Sequence, residues 1–299
     1  MLSILIPVYN FDVRKLVHQL HEQGQLLDIP FEIICVDDAS SEVFTELNAS
    51  VKLLEHVSFE VNKTNIGRSK IRNYLASKSK FDRLLFMDCD SLPVNSDYLL
   101  NYTEHLSLKQ VIYGGRVYQK DAPKEQKLIF HWFYGKQREE NTATRRSMSP
   151  YHSFMTNNFL VTKKIFLDIK FNEDLHEYGH EDTFFGLELM KKKIPILHIE
   201  NPLEHIGLEE NSVFIKKSEM AIQNLYFLYQ KFGLKNDIKI LRYFIWVKKI
   251  YIDLLVLLFY RTFKRRILAN LSSDNPKLKL FDIYKLGYMI EWSRNNNLN

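Results

Sequence analysis

The chain has 299 residues, 45% of them hydrophobic and 26% charged, which is ordinary for a globular protein and sufficient for a hydrophobic core. Two cysteines in or beside apolar runs exclude a disulfide-stabilised scaffold and predict a reducing compartment. The net charge of +5 is uneven: residues 216–299 contain 16 Lys or Arg and 6 Asp or Glu, leaving 25 basic and 30 acidic residues in 1–215. A basic region on an acidic body favours an anionic partner, either lipid or nucleic acid.

Short apolar runs alternate with helical patterns through about residue 200. The predicted strands are 3–8, 31–36, 58–61, 83–87, 111–117 and 194–199, and the predicted helices are 14–27, 68–79, 95–107 and 180–192. Such alternation predicts an α/β fold with a mostly parallel sheet flanked by helices. Residues 120–150 are polar, charged and aromatic, which predicts a mobile loop or lid near the site. From about residue 216 onward, apolar residues at helical spacing and basic residues dominate. We therefore predict a domain over 1–215 and a helical basic C-terminal region over 216–299.

The apolar segment 238–267 is interrupted by Lys248, Lys249 and Asp253, and its longest unbroken run is 254–260. A membrane-spanning helix needs about 20 mostly apolar residues. We therefore predict a helix that packs on the body or lies on a membrane surface, and both alternatives stay open. No secretory signal pattern is visible, so we expect a cytoplasmic protein, with the basic C-terminal region a candidate for peripheral contact with the membrane.

The most informative segment is Asp88-Cys89-Asp90, which ends the apolar run 84–87. Residues i and i+2 of a strand point to the same side, so both carboxylates are expected to project from the carboxyl end of a buried strand. Ligands of open α/β sheets bind at that edge. Two oxygen ligands there suit Mg²⁺ or Mn²⁺, completed by substrate phosphates.

Two further motifs are typical of a nucleotide site. Asp37 and Asp38 end the second predicted strand, where one carboxylate could accept a hydrogen bond from a base; the alternative is a helix cap. Asn65 and Gly67 precede a basic helix that contains Arg72. A helix N-terminus beside an arginine favours an anion such as a diphosphate, although the same pattern fits a solvated basic face.

Two motifs late in the sequence complete the set. Glu181 and Asp182 follow a glycine turn at the start of a predicted helix, where one carboxylate could take a proton from a hydroxyl. Favourable charge at a helix N-terminus is the alternative explanation. His205 follows the last predicted strand, where it is either a metal ligand or a structural histidine.

In this order and spacing, the motifs resemble the inverting family 2 glycosyltransferases of the GT-A fold, over about residues 1–210. The opening segment around Pro7 and Tyr9 looks like the first strand and turn of that family. The turn after Asp38 has Ala39 where the family more usually has Gly. The segment from Gly179 to Asp182 also resembles the Gly-x-Glu-Asp of a galactosyltransferase-like branch.

The resemblance implies a nucleotide-diphospho-sugar donor, most often UDP-linked, and Mn²⁺ or Mg²⁺ as cofactor. It implies Asp182 as the base, with Glu181 as second choice, and Asp90, His205 and Asp88 as the metal-site residues. The implied nucleotide-sugar contacts are Pro7, Tyr9, Asp37, Asp38, Asn65, Gly67, Arg72 and Asp88. The implied acceptor-side residues are Thr156, Asn157 and Asn158.

A processive synthase of this family would carry Gln-x-x-Arg-Trp, and the sequence has none. Single transfers to a glycan or lipid-linked saccharide, as in surface polysaccharide synthesis, are therefore expected. One alternative is a sugar-nucleotide nucleotidyltransferase, which would usually have a glycine-rich loop after the first strand, where this chain has none. Another is a nucleic-acid-binding module that uses the basic tail. It would leave the acidic motifs unexplained, so no nucleic acid is expected.

Overall fold

The structure is a computed structural model that describes residues 1–175, 178–234 and 238–296. It divides into two compact units. The first comprises Met1–Gln119, Glu139–His176 and Glu181–Gly207, and the second Lys120–Arg138, Glu177–His180 and Leu208–Asn299. The partition into functional domains over 1–215 and 216–299 stays a prediction.

The strands, in chain order, are β1 Leu2–Val8, β2 Phe31–Asp37, β3 Val57–Val61, β4 Arg83–Met87, β5 Ser91–Pro93, β6 Val111–Tyr113, β7 Arg116–Val117, β8 Asn158–Thr162, β9 Ile196–His198 and β10 Leu203–His205. Seven of them form one sheet in the order β3-β2-β1-β4-β8-β6-β9. Only β8 runs antiparallel to its neighbours in that sheet, which confirms the mostly parallel α/β prediction. The remaining three form a small sheet in the order β5-β10-β7.

The helices are α1 Arg14–Gln25, α2 Glu42–Ala49, α3 Arg68–Lys78, α4 Tyr98–Thr103, α5 Gln126–Tyr134, α6 Ala143–Ser147, α7 Lys163–Ile169, α8 Glu181–Lys191, α9 Asn211–Phe232, α10 Lys239–Lys249, α11 Asp253–Leu271 and α12 Leu278–Asn296. A 3₁₀ turn covers Ser50–Leu53 and a π turn covers Gly135–Glu139.

The central strands are apolar on both faces because the sheet has a core on each side. Ile4 and Ile6 of β1 belong to one core cluster, whereas Leu5 between them belongs to the other. β2 divides in the same way, with Ile33 on one side and Ile34 on the other. A parallel sheet buried on both faces reads as a continuous apolar run, which is why these strands were predictable.

Two predictions about the middle of the chain are wrong. The predicted strand 111–117 breaks at Gly114 and Gly115, where Gly115 has φ +98°, so its two halves join different sheets. The predicted loop over 120–150 contains α5 and α6 instead. Aromatic residues in α5 lie at helical spacing, and Phe130 is fully buried in it.

The second unit is helical in its described residues, as predicted for residues 216 onward. Its long helices α9 and α11 both pack on α12, and the Phe130 ring of α5 lies edge-on to Phe214 and Phe281. None of the helices in the described part of the chain combines the length and apolarity needed to cross a membrane.

Candidate active site

Asp88 and Asp90 lie in a turn rather than on a strand, because β4 ends at Met87. Their carboxylates have different partners. Asp88 Oδ1 accepts from Arg72 Nη2 at 2.6 Å, and Asp88 Oδ2 accepts from Arg116 Nη2 at 3.3 Å. The Arg72 side chain is only 3% exposed. Asp88 is thus the acidic centre of a buried ion-pair network.

Asp90 is brought to His205 by the small sheet. β5 and β10 pair antiparallel with His205 opposite Ser91, and Ile206 N donates to Asp90 O at 2.9 Å. As a result His205 Nδ1 lies 3.5 Å from Asp90 Oδ1. Gly207 lies against Asp90, since a Cβ built there would be 2.9 Å from Asp90 Oδ2. The sheet register explains why residues 115 positions apart meet.

The pair of Asp90 and His205 fits a divalent cation. Asp90 Oδ1 is buried and accepts no hydrogen bond from the described residues. Burial opposes ionisation of Asp90, but His205, Arg116 and Arg68 together outweigh it and lower its pKa, which keeps a carboxylate at the site. Their separation is also compatible with ligands of one octahedral ion, which lie about 3 Å apart when adjacent. No third His, Cys, Asp or Glu completes a cluster among the described residues, so substrate phosphates or water would fill the other positions.

Asp37 and Asp38 differ in what their carboxylates contact. Asp38 Oδ1 accepts from Ile66 N at 2.8 Å and Asp38 Oδ2 from Gly67 N at 2.9 Å. Asp38 thus fixes the turn before α3. Asp37 Oδ1 accepts from Ser40 N at 2.7 Å, whereas its buried Oδ2 has no donor within the described structure. Asp37 is therefore the better candidate of the two to accept a hydrogen bond from a base.

The turn before α3 depends on its glycine. Gly67 has φ +85°, in the region that favours glycine, and the adjacent Asn65 Nδ2 donates to Asp38 O at 3.0 Å. Arg68 and Arg72 follow in the first two turns of α3. Tyr9, just after β1, is 53% exposed, and Pro7 is paired within β1 opposite Val36. The structure thus brings the predicted nucleotide-binding segments to the carboxyl ends of β1, β2 and β4.

Glu181 and Asp182 begin α8, and their pKa values move in opposite directions. Burial opposes ionisation of Glu181, but Arg68, whose Nη1 lies 3.2 Å from Glu181 Oε1, and Arg72 outweigh it and lower its pKa. Burial raises the pKa of Asp182 to about 6, and the negative charges of Glu181 and Glu139 add to the rise. Two neighbouring carboxylates whose pKa values differ in this way are suited to different chemical roles. A carboxylate with a pKa near 6 is suited to accept a proton at neutral pH.

Sequence reasoning missed Arg116 and Glu139. Arg116 Nη1 donates to Glu139 Oε2 at 3.2 Å while its Nη2 holds Asp88, and the Tyr118 hydroxyl also donates to Glu139. Arg116 is in β7, which pairs with β10, the strand that ends in His205, and lies opposite Leu203. A single arginine after a double glycine gives no recognisable motif, and only the sheet order places it here.

The predicted acceptor-side residues are largely occupied within the fold. Asn158 Oδ1 accepts from the Tyr98 and Tyr102 hydroxyls at 2.6 and 2.7 Å, and its Nδ2 donates to two backbone carbonyls. Asn157 O accepts from Asp88 N at 3.2 Å, and its buried Nδ2 has no acceptor in the described residues. Thr156 is buried. Asn157 is therefore the member of this group best placed to contact a substrate.

Residues 3–166, more than half of the chain, match the family model of glycosyl transferase family 2. The chain belongs to glycosyl transferase family 2. The matched residues include Asp37, Asp88 and Asp90 and end before Glu181. Family membership favours sugar transfer over the two alternatives considered from the sequence.

A curated relative, an uncharacterized glycosyltransferase of Haemophilus influenzae, is 37% identical over 112 residues. That stretch covers 35% of this chain and 35% of the relative. The mannosyltransferase PcManGT from Pyrobaculum calidifontis, solved with GDP-Man and Mn²⁺, is similar in structure with a TM-score of 0.57. It is 10% identical, and the similarity covers 100% of this chain and 88% of that one. S. aureus TarS 1-349 with UDP-GlcNAc has a TM-score of 0.49 at 14% identity, over 99% of this chain and 92% of that one. The similarity to the mannosyltransferase shows the GT-A fold.

Proposed function

We propose that this glycosyltransferase transfers single sugars, with inversion, from a nucleotide-diphospho-sugar to a hydroxyl of a glycan or lipid-linked saccharide. The adjacent carboxylates at the start of α8, of which only Glu181 is paired with Arg68, at 3.2 Å, carry the proposal within the family match, and their opposite pKa displacements agree with it. Asp182 takes the proton from the attacking hydroxyl as the bond to the anomeric carbon forms. Glu181, kept ionised by Arg68, orients that arginine and does not share the proton. Transfer in single steps is supported by the lack of Gln-x-x-Arg-Trp in the sequence.

The donor is held at the carboxyl ends of β1, β2 and β4. Asp37 accepts from an N–H of the base. The exposed Tyr9 ring, which follows Val8, the partner of Asp37 in the sheet, covers the nucleoside. The backbone at Gly67 and the start of α3 face the diphosphate, where the partial positive charge of the helix N-terminus favours an anion. Arg72 and Arg116 hold Asp88 and so keep the turn to Asp90 in place. A UDP-sugar is our first choice, and a GDP-sugar, whose base also has an N–H donor, is the second.

Asp90 and His205 would hold Mn²⁺ or Mg²⁺. The bound ion would neutralise the charge that the diphosphate acquires as the leaving group. Three features of the protein support this site. The pKa of Asp90 is lowered, so its carboxylate is ionised. Gly207 has no side chain to crowd that carboxylate, and the register of β5 with β10 brings His205 to it. The Mn²⁺ bound to the similar mannosyltransferase supports this choice of ion.

Release of nucleoside diphosphate from a panel of UDP- and GDP-sugars with Mn²⁺ tests the proposal. Asp182→Asn is expected to reduce turnover at least about a thousandfold, within the range for loss of a general base, with donor affinity nearly unchanged. Glu181→Gln is the matched control and should lose less activity. Wild-type turnover by Asp182→Asn would remove the base assignment, and full activity in excess chelator would remove the metal. Release of pyrophosphate from a nucleoside triphosphate would favour the nucleotidyltransferase.

A further inference from the structure

The second unit exposes a run of large apolar side chains around the turn between α10 and α11. We call this surface the α10–α11 tip; its members, each at least 42% exposed, are Trp246, Ile250, Tyr251, Leu254, Leu255, Leu258 and Phe259. They are neighbours along the chain and lie one helical turn apart within each helix. A connected apolar surface of this kind usually marks an interaction site.

The exposed apolar residues of the tip do not belong to the faces through which α10 and α11 pack in the fold. In α10 the packed face contains Phe244 and Val247, and in α11 it contains Leu257 and Tyr260, all of them buried. Both helices pack on α12, where the Tyr260 ring contacts Tyr284, and the Phe244 ring contacts α9. The tip is therefore a second apolar face, beyond what the fold needs to bury.

The charges of the segment that contains the tip are almost all positive, and Arg261 in it pairs with Glu291 of α12. Residues 239–266 contain eight Lys or Arg and a single acid, Asp253. Asp253 is buried and pairs with Arg294 at 2.6 Å, so this segment exposes no carboxylate. Lys249 at the end of α10 and Arg265 on α11 form no ion pair with the described residues. The tip thus combines apolar surface with unneutralised cations, which complements an anionic surface.

A second copy of the chain is a poor occupant for this surface. A symmetric pair would place the same cationic rim opposite itself, with no exposed acid in the segment to pair with it. An apolar partner without charge would leave Lys249 and Arg265 without a counter-ion. The phosphates and acyl chains of an anionic lipid surface satisfy both components together.

Tyr251 gives a second, independent indication. Its φ is +60°, a left-handed conformation that is uncommon for a bulky residue, and its side chain is 88% exposed. The exposed ring therefore contributes little to packing. Glycine or asparagine would adopt this backbone conformation with less strain. Tyr251 and Trp246 are of the aromatic type that is enriched at membrane–water interfaces.

We propose that the α10–α11 tip docks on an anionic lipid surface. Leu254, Leu255 and Leu258 enter the boundary between headgroups and acyl chains, and Lys249 and Arg265 contact lipid phosphates. The helices lie on the surface without spanning it. The docking does not depend on the donor or on the catalytic residues proposed above, so its test can fail without affecting them.

Flotation of the full chain with lipid vesicles tests the proposal. We expect the protein to float with phosphatidylcholine vesicles that contain about 30 mol% phosphatidylglycerol, and to float far less with pure phosphatidylcholine or at high salt. The triple variant Leu254→Ser, Leu255→Ser, Leu258→Ser should reduce partitioning at least about tenfold. The matched control is Leu26→Ser with Leu53→Ser in the first unit, where both leucines are more than 80% exposed. It should partition like the wild type.

Three results would overturn the proposal. One is failure of the wild type to bind anionic vesicles, and another is equal binding by the triple variant. The third is a dimer, seen by sedimentation velocity, that the triple variant converts into a monomer, because the tip would then be covered by a second copy. Since all three leucines are exposed, the variant should keep the wild-type melting temperature, which shows that a loss of binding is not a loss of folding.

Discussion

Asp182→Asn should make the protein more stable at neutral pH while removing its activity. Burial raises the pKa of Asp182 from 3.8 to about 6, so the ionised carboxylate is unfavourable in the folded state. That displacement corresponds to about 3 kcal/mol. Asp182 is only partly buried, and solvent screening reduces the expected gain to about 1–2 kcal/mol. Asparagine keeps an oxygen that can accept from Thr183 N, as Asp182 Oδ1 does at 2.6 Å.

The pH dependence gives this prediction its sign. Below pH 3.8 the carboxyl is protonated in both states and contributes no penalty. Between pH 3.8 and about 6 the folded state holds a proton that the unfolded state has lost, so this group makes the wild type less stable as the pH rises. Above about pH 6 the penalty is complete. The difference in stability between Asp182→Asn and wild type should therefore be near zero at pH 3.5 and largest above pH 6.5.

Thermal unfolding across this pH range measures the effect, with an expected gain in Tm of about 2–6 °C at pH 7. Glu181→Gln is the matched control and should have the opposite sign, because the pKa of Glu181 is lowered by Arg68 and Arg72. Loss of that carboxylate should destabilise the protein at pH 7 and matter less in acid. An Asp182→Asn protein that is less stable than wild type at pH 7, or whose gain is the same at pH 3.5, would refute the reasoning.

Three substitutions, one of them with a matched control, test the rest of the site. Arg116→Ala removes the arginine that links Asp88 to Glu139, while Arg72 and Tyr118 remain as their partners. It should lower the free energy of unfolding by about 1.5–3 kcal/mol, measured by denaturant titration; a loss below 1 kcal/mol would contradict the network. Gly207→Ala pushes a Cβ to 2.6 Å from the Asp90 Cβ and should abolish metal-dependent turnover, whereas Gly233→Ala, with open space around it, should cost only about 1 kcal/mol of stability and keep activity. Ala39→Gly relieves a φ of +61° and should leave Tm unchanged or slightly raised, while a marked fall would show that Ala39 is not strained.

The sequence predicted the sheet well because its central strands are buried on both faces. The runs that became β1, β2 and β4 stand out as continuous apolar segments that end in polar turns. The alternation also gave the mostly parallel order. The prediction failed for β6 and β7, because two adjacent glycines redirect the chain inside an apolar run and nothing local shows that the second half joins another sheet.

The sequence motifs predicted where the site lies, but they could not assign a role to each residue in it. The strand rule put Asp88 and Asp90 on the same face of a strand, yet β4 ends at Met87 and the two carboxylates have different partners. Asp88 is therefore held by two arginines, while Asp90 faces His205. The roles of Arg116 and Glu139 depend on which strands are neighbours, and that information lies in the register of β7 with β10. The pKa displacement of Asp182 likewise arises from burial and neighbouring charge.

The pH dependence of nucleoside diphosphate release from the preferred donor, with Mn²⁺ present, tests the central claim most directly. If Asp182 is the base, kcat/KM should fall in acid with a midpoint near pH 6, set by the raised pKa of its carboxyl. Asp182→Asn should retain only a small residual rate, and that rate should not fall with a midpoint near pH 6. A wild-type rate that stays constant down to about pH 4.5, or an Asp182→Asn protein that keeps the same profile, would contradict the account.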